Sequence, residues 1–122
     1  MERFLIVCGA GGLGCGTRYL ISRWANRPAF PYGTLIVNIV GSFIIALVLE
    51  LSLRKTAWLT PNVTVGITTG FLGGLTTYSA FNYESTNMLL GEHPLRGALD
   101  IAVTLAACFL AGLAGLWVAR RF

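Results

Sequence analysis

Three long stretches of this chain contain no charged residue, and this pattern constrains the fold more than any other feature. The stretches run from Pro28 to Leu49, from Thr56 to Tyr83 and from Ile101 to Ala119. About 20 consecutive apolar residues suffice for a helix to cross the hydrocarbon core of a bilayer. Only 11% of the 122 residues are charged, against roughly 25% in a typical soluble domain. The sequence therefore predicts a membrane protein.

The apolar stretches predict an all-α membrane protein with four transmembrane helices in a single domain, residues 1–122. The expected spans cover residues 3–24, 33–53, 62–90 and 95–118. The third span contains Gly73 and Gly74 close to Thr76 and Thr77, and glycine next to β-branched residues is unfavourable in a helix centre. We therefore expect a break in this span. Backbone groups freed inside a membrane must be buried in protein or line a water-filled cavity.

Two polar stripes run along the predicted second and fourth spans, each with the i, i+4, i+8 spacing of one helical face. The first consists of Thr34, Asn38 and Ser42, and the second of Asp100, Thr104 and Cys108. Such residues either form hydrogen bonds between helices or line an ion path, and spacing alone leaves both open. Asp100 is expected near the membrane surface or paired with a cation.

The positive charges indicate how the chain inserts. With four spans, one membrane side carries five Lys or Arg residues and the other carries four. The two sets are Arg3, Arg54, Lys55, Arg120 and Arg121, and Arg18, Arg23, Arg27 and Arg96. Orientation follows this balance, so a nearly equal balance predicts insertion both ways and an antiparallel, dual-topology homodimer. Next to apolar runs, these cations are expected to contact membrane lipid and not nucleic acid.

The residue types needed for catalysis are poorly represented, so the sequence does not predict an enzyme. The single histidine, His93, has no plausible partner in a nucleophilic triad. An alternative function is a dual-topology small multidrug or cation antiporter, which needs a carboxylate at mid-membrane. Such antiporters place it in the first span, where this sequence has no acidic residue between Arg3 and Trp24. A membrane subunit that only packs against partners is a further alternative.

Three segments resemble those of a known family. The stretches from Gly33 to Phe43 and from Gly70 to Phe81, together with Gly14-Cys15-Gly16-Thr17-Arg18-Tyr19, are similar to motifs of the Fluc (CrcB-type) fluoride channels. The similarity covers essentially the whole chain. It implies an antiparallel dimer with two fluoride pores and passive, selective export of F⁻. It also implies location in the cell (inner or plasma) membrane as a multi-pass protein, and protection against fluoride toxicity.

The resemblance also implies roles for individual residues. The fluoride pore would be lined by Asn38, Tyr78, Ser79, Phe81, Thr34, Thr104 and Cys108. The backbone carbonyls of Gly73 and Thr76 would hold a structural Na⁺ at the dimer interface, and Arg18 and Glu84 match charges with a structural or gating role. This chain departs from the family pattern at Tyr78, where phenylalanine is usual, at Ala80, where threonine is common, and at Cys108, which replaces a hydroxyl.

Overall fold

The computed structural model describes residues 1–54 and 57–122, and the regular elements in that part of the chain are helical. They are α1 (Glu2–Ala25), α2 (Tyr32–Leu53), α3 (Pro61–Val65), a π-helical segment (Gly66–Leu72), α4 (Gly73–Leu75), α5 (Tyr78–Leu90) and α6 (Pro94–Ala119). Lys55, which enters the predicted charge balance, and Thr56, which begins a charge-free stretch, lie outside the described residues.

Three of these helices are long and apolar enough to cross a membrane. The helices α1, α2 and α6 have 24, 22 and 26 residues and mean hydropathies of 1.4, 2.3 and 2.2. At 1.5 Å per residue, even 22 residues extend about 33 Å, which exceeds the ~30 Å hydrocarbon core. The three helices begin and end within one residue of the predicted spans 3–24, 33–53 and 95–118. The chain is therefore a helical, multi-pass membrane protein.

The region predicted as the span 62–90 is not a single helix. Thr60 caps its start, because its side-chain oxygen accepts a hydrogen bond from the backbone N–H of Val63, and Pro61 occupies the first turn. Helical backbone then continues to Leu75, and α5 begins only at Tyr78. Between them, Thr76 and Thr77 are extended, with ψ angles of 155° and 116°. The π-helical segment is notable because such turns are rare in proteins overall, and those that do occur are often found at functional sites.

Small residues allow these helices to pack with their backbones in close contact. A Cβ atom added at Gly14 of α1 would lie 2.9 Å from the Leu75 backbone nitrogen, and one at Gly74 would lie 2.9 Å from that of Cys15. In the same way, α6 packs on α2 through Gly115. Close approach through small residues is the usual basis of helix association in lipid. Packing of this kind holds the interrupted region from Pro61 to Leu90 against α1, α2 and α6.

Candidate functional site

The site is organised around the two extended residues between α4 and α5. Asn38, in the middle of α2, forms two hydrogen bonds with the backbone of Thr77. Its Nδ2 donates to the Thr77 carbonyl oxygen at 3.0 Å, and its Oδ1 accepts from the Thr77 N–H at 2.8 Å. In a continuous helix that N–H would donate to the carbonyl of Gly73. The Asn38 amide therefore stabilises the interruption and releases the Gly73 carbonyl from the helical pattern.

Thr77 itself releases a second carbonyl. Its Oγ1 accepts a hydrogen bond from the Ala80 N–H at 3.2 Å, as expected for an N-cap residue. In a continuous helix that N–H would donate to the carbonyl of Thr76. Gly73 and Thr76, which the family resemblance assigns to Na⁺, are two of the four residues, 73–76, whose carbonyls lose their α-helical partners at the interruption. Carbonyl oxygens are suitable ligands for a hard cation, so the donor chemistry fits.

Side-chain ligands do not provide an alternative metal site in the described ranges. No group of three or more His, Cys, Asp or Glu side chains within residues 1–54 and 57–122 is arranged to hold a metal ion.

A cavity of about 360 Å³, here called the central cavity, lies between α2, the π-helical segment, α5 and α6. The predicted site residues on its wall are Asn38, Gly73, Thr76, Tyr78, Phe81, Thr104 and Cys108. The rest of the wall is apolar or carries hydroxyl groups, and none of its described lining residues is charged. The cavity offers an amide, hydroxyls and aromatic rings to a ligand and presents no fixed charge.

The two aromatic residues of the cavity differ in their surroundings. Phe81 is 7% exposed, whereas Tyr78 is 73% exposed. Their ring centroids are 5.8 Å apart and their planes are tilted by 59°, a geometry that turns ring edges toward neighbouring groups. Packing within the chain therefore fixes Phe81, while Tyr78 projects outward toward lipid or another chain.

A second cavity of about 320 Å³, here called the Arg18 cavity, contains three other predicted residues, Thr34, Arg18 and Glu84. Thr77 lines both cavities and therefore lies between them. Arg18 and Glu84 do not form an ion pair in the described structure, and Nη2 of Arg18 lies 3.7 Å from the sulfur of Cys15. The predicted pore residue Ser79 lies outside both cavities. It is exposed, with its Oγ 3.2 Å from Oγ1 of Thr77.

Asp100 does not have the cationic partner that the sequence suggested. Its side chain is buried, and no Lys or Arg in the described ranges forms an ion pair with it. Two hydroxyl groups contact it instead. Ser85 Oγ donates to Asp100 Oδ2 at 2.6 Å, and Thr104 Oγ1 lies 3.4 Å from Oδ1. Of the two expected environments, hydroxyl contacts take the place of a cation among the described residues, and a position near the membrane surface stays a prediction.

Comparison with known proteins identifies the family. The family described as "CrcB-like protein, Camphor Resistance (CrcB)" matches residues 5–116. The chain belongs to the CrcB family. Among its relatives, proteins of Geotalea uraniireducens, Sorangium cellulosum and Anaeromyxobacter sp. (strain K) are each named "Fluoride-specific ion channel FluC". They are 42%, 40% and 40% identical to this chain over 98%, 99% and 98% of its length, and over 98%, 97% and 97% of their own.

Membership of the CrcB family confirms the resemblance found in the sequence. The relatives are named as ion channels and not as enzymes, and none of those named here supports the antiporter alternative. In this CrcB protein, the sequence did not predict two features of the site, the N-cap role of Thr77 and the contact between Ser85 and Asp100. Thr77 could have been found as a threonine in N-cap position before an apolar helix. The pairing of Ser85 with Asp100 has no comparable local signal.

Proposed function

We propose that this CrcB protein is a fluoride-selective passive channel that exports F⁻ across the cell (inner or plasma) membrane and protects the cell against fluoride toxicity. The observation that carries the proposal is the central cavity, whose described wall combines hydroxyl, amide and aromatic groups without a charged residue. The relatives named as fluoride-specific ion channels support the same ion.

The wall of the central cavity suits a small, strongly hydrated anion. One N–H of the Asn38 amide is engaged with Thr77, and the second remains for an anion, since Nδ2 carries two hydrogens. The edge of the Phe81 ring carries partial positive charge and adds no fixed cation. Conduction requires sites weak enough for the ion to leave, and an uncharged wall meets that requirement.

The proposed channel is an antiparallel, dual-topology homodimer with two pores. The exposure of Tyr78 and the nearly even distribution of Lys and Arg support a second copy inserted the opposite way. Residues 61–90 would form a fourth, interrupted span. Cysteine labelling at the chain termini from both sides of intact membranes would support this arrangement, and labelling from one side only would contradict it.

A Na⁺ ion is proposed at the dimer interface. The carbonyls of Gly73 and Thr76, released from the helical pattern by Asn38 and Thr77, would supply two oxygens from each copy. When bound, Na⁺ supplies a fixed positive charge that attracts the four carbonyl oxygens and so links the two copies. In transporters, backbone carbonyls at helix interruptions hold cations in this way.

The decisive experiment is fluoride efflux from liposomes loaded with potassium fluoride, followed with a fluoride electrode after addition of valinomycin. The purified protein is expected to release fluoride and to retain chloride in a parallel preparation. Phe81→Ile should lose most of the efflux. Phe109→Ile is the matched control, because Phe109 is 69% exposed on α6 and does not line the central cavity. Proton-coupled uptake of a lipophilic cation without fluoride efflux would favour the antiporter instead.

A further inference from the structure

A third cavity, here called the α3 cavity, meets the central cavity at Thr68. It has a volume of about 610 Å³ and lies between the end of α2 and the start of α3. Its wall is apolar apart from three hydroxyl groups, and none of its described lining residues is charged: Ser52, Ala57, Leu59, Pro61, Thr64, Val65 and Thr68. Thr68 lines both cavities. The α3 cavity therefore borders the central cavity from one end of α2, while the Arg18 cavity, with Thr34, lies toward the other end.

The π-helical segment determines which residue follows Thr68 along this face. In an α-helix each N–H donates to the carbonyl four residues before it, so Leu72 would follow Thr68. Here the N–H of Gly73 donates to the carbonyl oxygens of Thr68 and Gly70. Leu72 is accordingly buried in the core at 1% exposure, whereas Gly73 is exposed. The wider turn therefore places Gly73, one of the two proposed cation ligands, next after Thr68.

The hydroxyl groups along this face use their hydrogens inside the protein. Thr68 Oγ1 donates to the Thr64 carbonyl oxygen at 2.8 Å. Thr76 Oγ1 donates to the Leu72 carbonyl oxygen at 2.9 Å, and Thr64 Oγ1 donates to Ser52 Oγ at 3.2 Å. A threonine hydroxyl has only one hydrogen, so the lone pairs of these oxygens remain for a ligand. Such oxygens suit a hard cation and repel an anion.

We infer that the face formed by Thr64, Thr68 and Gly73 is the route by which a monovalent cation passes from the α3 cavity to the carbonyls of Gly73 and Thr76. Along this route, the hydroxyl oxygens replace part of the water around the cation. The route ends at the last carbonyls of α4, where a helix carries partial negative charge. The inference rests on the Na⁺ site of the proposed function and adds to it a path of access separate from that of fluoride.

The position of Thr68 between the two cavities determines the expected effect of changing it. A residue that lies on a route, and is not a final ligand, alters the rates of binding and release by the same factor and leaves the affinity unchanged. Valine has the shape of threonine but no oxygen to offer. The loss of one interaction between a hydroxyl and an ion corresponds to a change of about tenfold. We therefore expect Thr68→Val to slow both the entry and the release of the cation about tenfold.

The test follows the exchange of bound Na⁺ in the purified protein in detergent. The protein is equilibrated with radioactive Na⁺ and diluted into unlabelled Na⁺, and the bound radioactivity is counted against time after free Na⁺ is removed on a cation-exchange resin. Thr68→Val should release Na⁺ about tenfold more slowly than the wild type and bind the same amount at equilibrium. Thr68→Ser, which keeps the hydroxyl, should exchange at the wild-type rate.

Thr69→Val is the matched control. It makes the same substitution at the next residue of the π-helical segment, but Thr69 is exposed and lines neither the α3 cavity nor the central cavity. This variant should exchange Na⁺ at the wild-type rate. Equal slowing in Thr68→Val and Thr69→Val would show a general effect on the segment and would overturn the inference.

The remaining outcomes separate this inference from the proposed function. A wild-type release rate in Thr68→Val would overturn the inference alone, as would weaker equilibrium binding with faster release, which would make Thr68 a ligand. If Thr68→Val fails to fold, Thr64→Val decides, because it removes a hydroxyl from the α3 cavity and keeps Thr68; a wild-type rate in that variant would overturn the inference. Absence of bound Na⁺ in the wild type would contradict the proposed cation site, and this inference with it. Fluoride efflux, measured separately, tests the channel itself.

Discussion

Replacing Asn38 with leucine is the sharpest test of how the interruption between α4 and α5 is maintained. Leucine has nearly the same size but cannot form hydrogen bonds. The variant therefore loses both bonds to Thr77, of 3.0 and 2.8 Å. Because Thr77 is only 8% exposed, its backbone N–H would remain buried without a partner, while its carbonyl would keep only the first helical hydrogen bond of α5, which an N-cap carbonyl accepts.

The expected loss of stability follows from one unsatisfied N–H donor and one lost hydrogen bond to the carbonyl. Leaving a buried donor or acceptor unsatisfied costs about 1–3 kcal/mol, while measured hydrogen bonds between membrane helices average ~0.6 kcal/mol and reach ~1.7 kcal/mol. Water in the adjacent cavities reduces the first figure. We expect Asn38→Leu to lower the free energy of unfolding by about 2–4 kcal/mol, which shifts the unfolding equilibrium roughly 30- to 900-fold.

Ser42→Ala is the matched control on the same helix. Ser42 lines the same cavity one turn along α2, but its Oγ donates to the carbonyl oxygen of Asn38 in its own helix at 2.7 Å. Its loss should cost about 0.5–1 kcal/mol. Reversible unfolding in mixed micelles of increasing SDS content measures both variants. If Asn38→Leu is no less stable than Ser42→Ala, the hydrogen bonds to Thr77 do not maintain the interruption.

Three further predictions concern the pore, the packing and the cation. Tyr78→Phe should keep fluoride efflux within about twofold, because the positive ring edge is retained; a near-complete loss would show that the hydroxyl is required. Gly14→Ala should destabilise the protein by about 1–3 kcal/mol in SDS unfolding, because its Cβ would lie 2.9 Å from the Leu75 nitrogen. Gly12→Ala should not destabilise the protein, since a Cβ at that position meets nothing within 4 Å. Equal losses of stability in the two variants would refute the role of Gly14 in close helix packing. Replacing Na⁺ by choline should lower the thermal stability of the dimer, measured by light scattering; unchanged stability would argue against the proposed cation.

The long helices could be predicted from the sequence because charge is excluded from the hydrocarbon core. The ends of α1, α2 and α6 are set where Arg, Pro or Gly residues interrupt the apolar stretches. The π-helical segment Gly66–Leu72 could not be predicted in this way. It differs from an α-helix in that each hydrogen bond spans five residues and not four, and its Gly, Thr and large apolar residues are also compatible with an ordinary helix.

The role of Asn38 was left open by the sequence for a physical reason. Its i, i+4, i+8 spacing identifies a face of α2 but not the group that this face contacts. The partner, Thr77, lies 39 residues away along the chain, and its position depends on how α4 and α5 pack. The side chain proves to form interhelical hydrogen bonds and to lie on a cavity wall at once, so the two interpretations are compatible.

The environment of Asp100 depended on packing that local patterns do not reveal. Ser85 reaches Asp100 because α5 and α6 approach closely at Gly97, where a Cβ would lie 2.7 Å from the Ser85 carbonyl oxygen. A larger residue at position 97 would separate the helices and remove the hydroxyl partner. The sequence therefore identified an unusual carboxyl group but could not provide its partner.

The position of Thr77 on the walls of both the central cavity and the Arg18 cavity has an electrical consequence. If, in the proposed channel, the two cavities open to opposite sides of the membrane and fill with water, the extended backbone at Thr77 separates the two aqueous compartments. Most of the transmembrane voltage then falls across that short distance, and an ion crosses most of the field in a single step. The voltage dependence of the current would report directly on the barrier at Thr77.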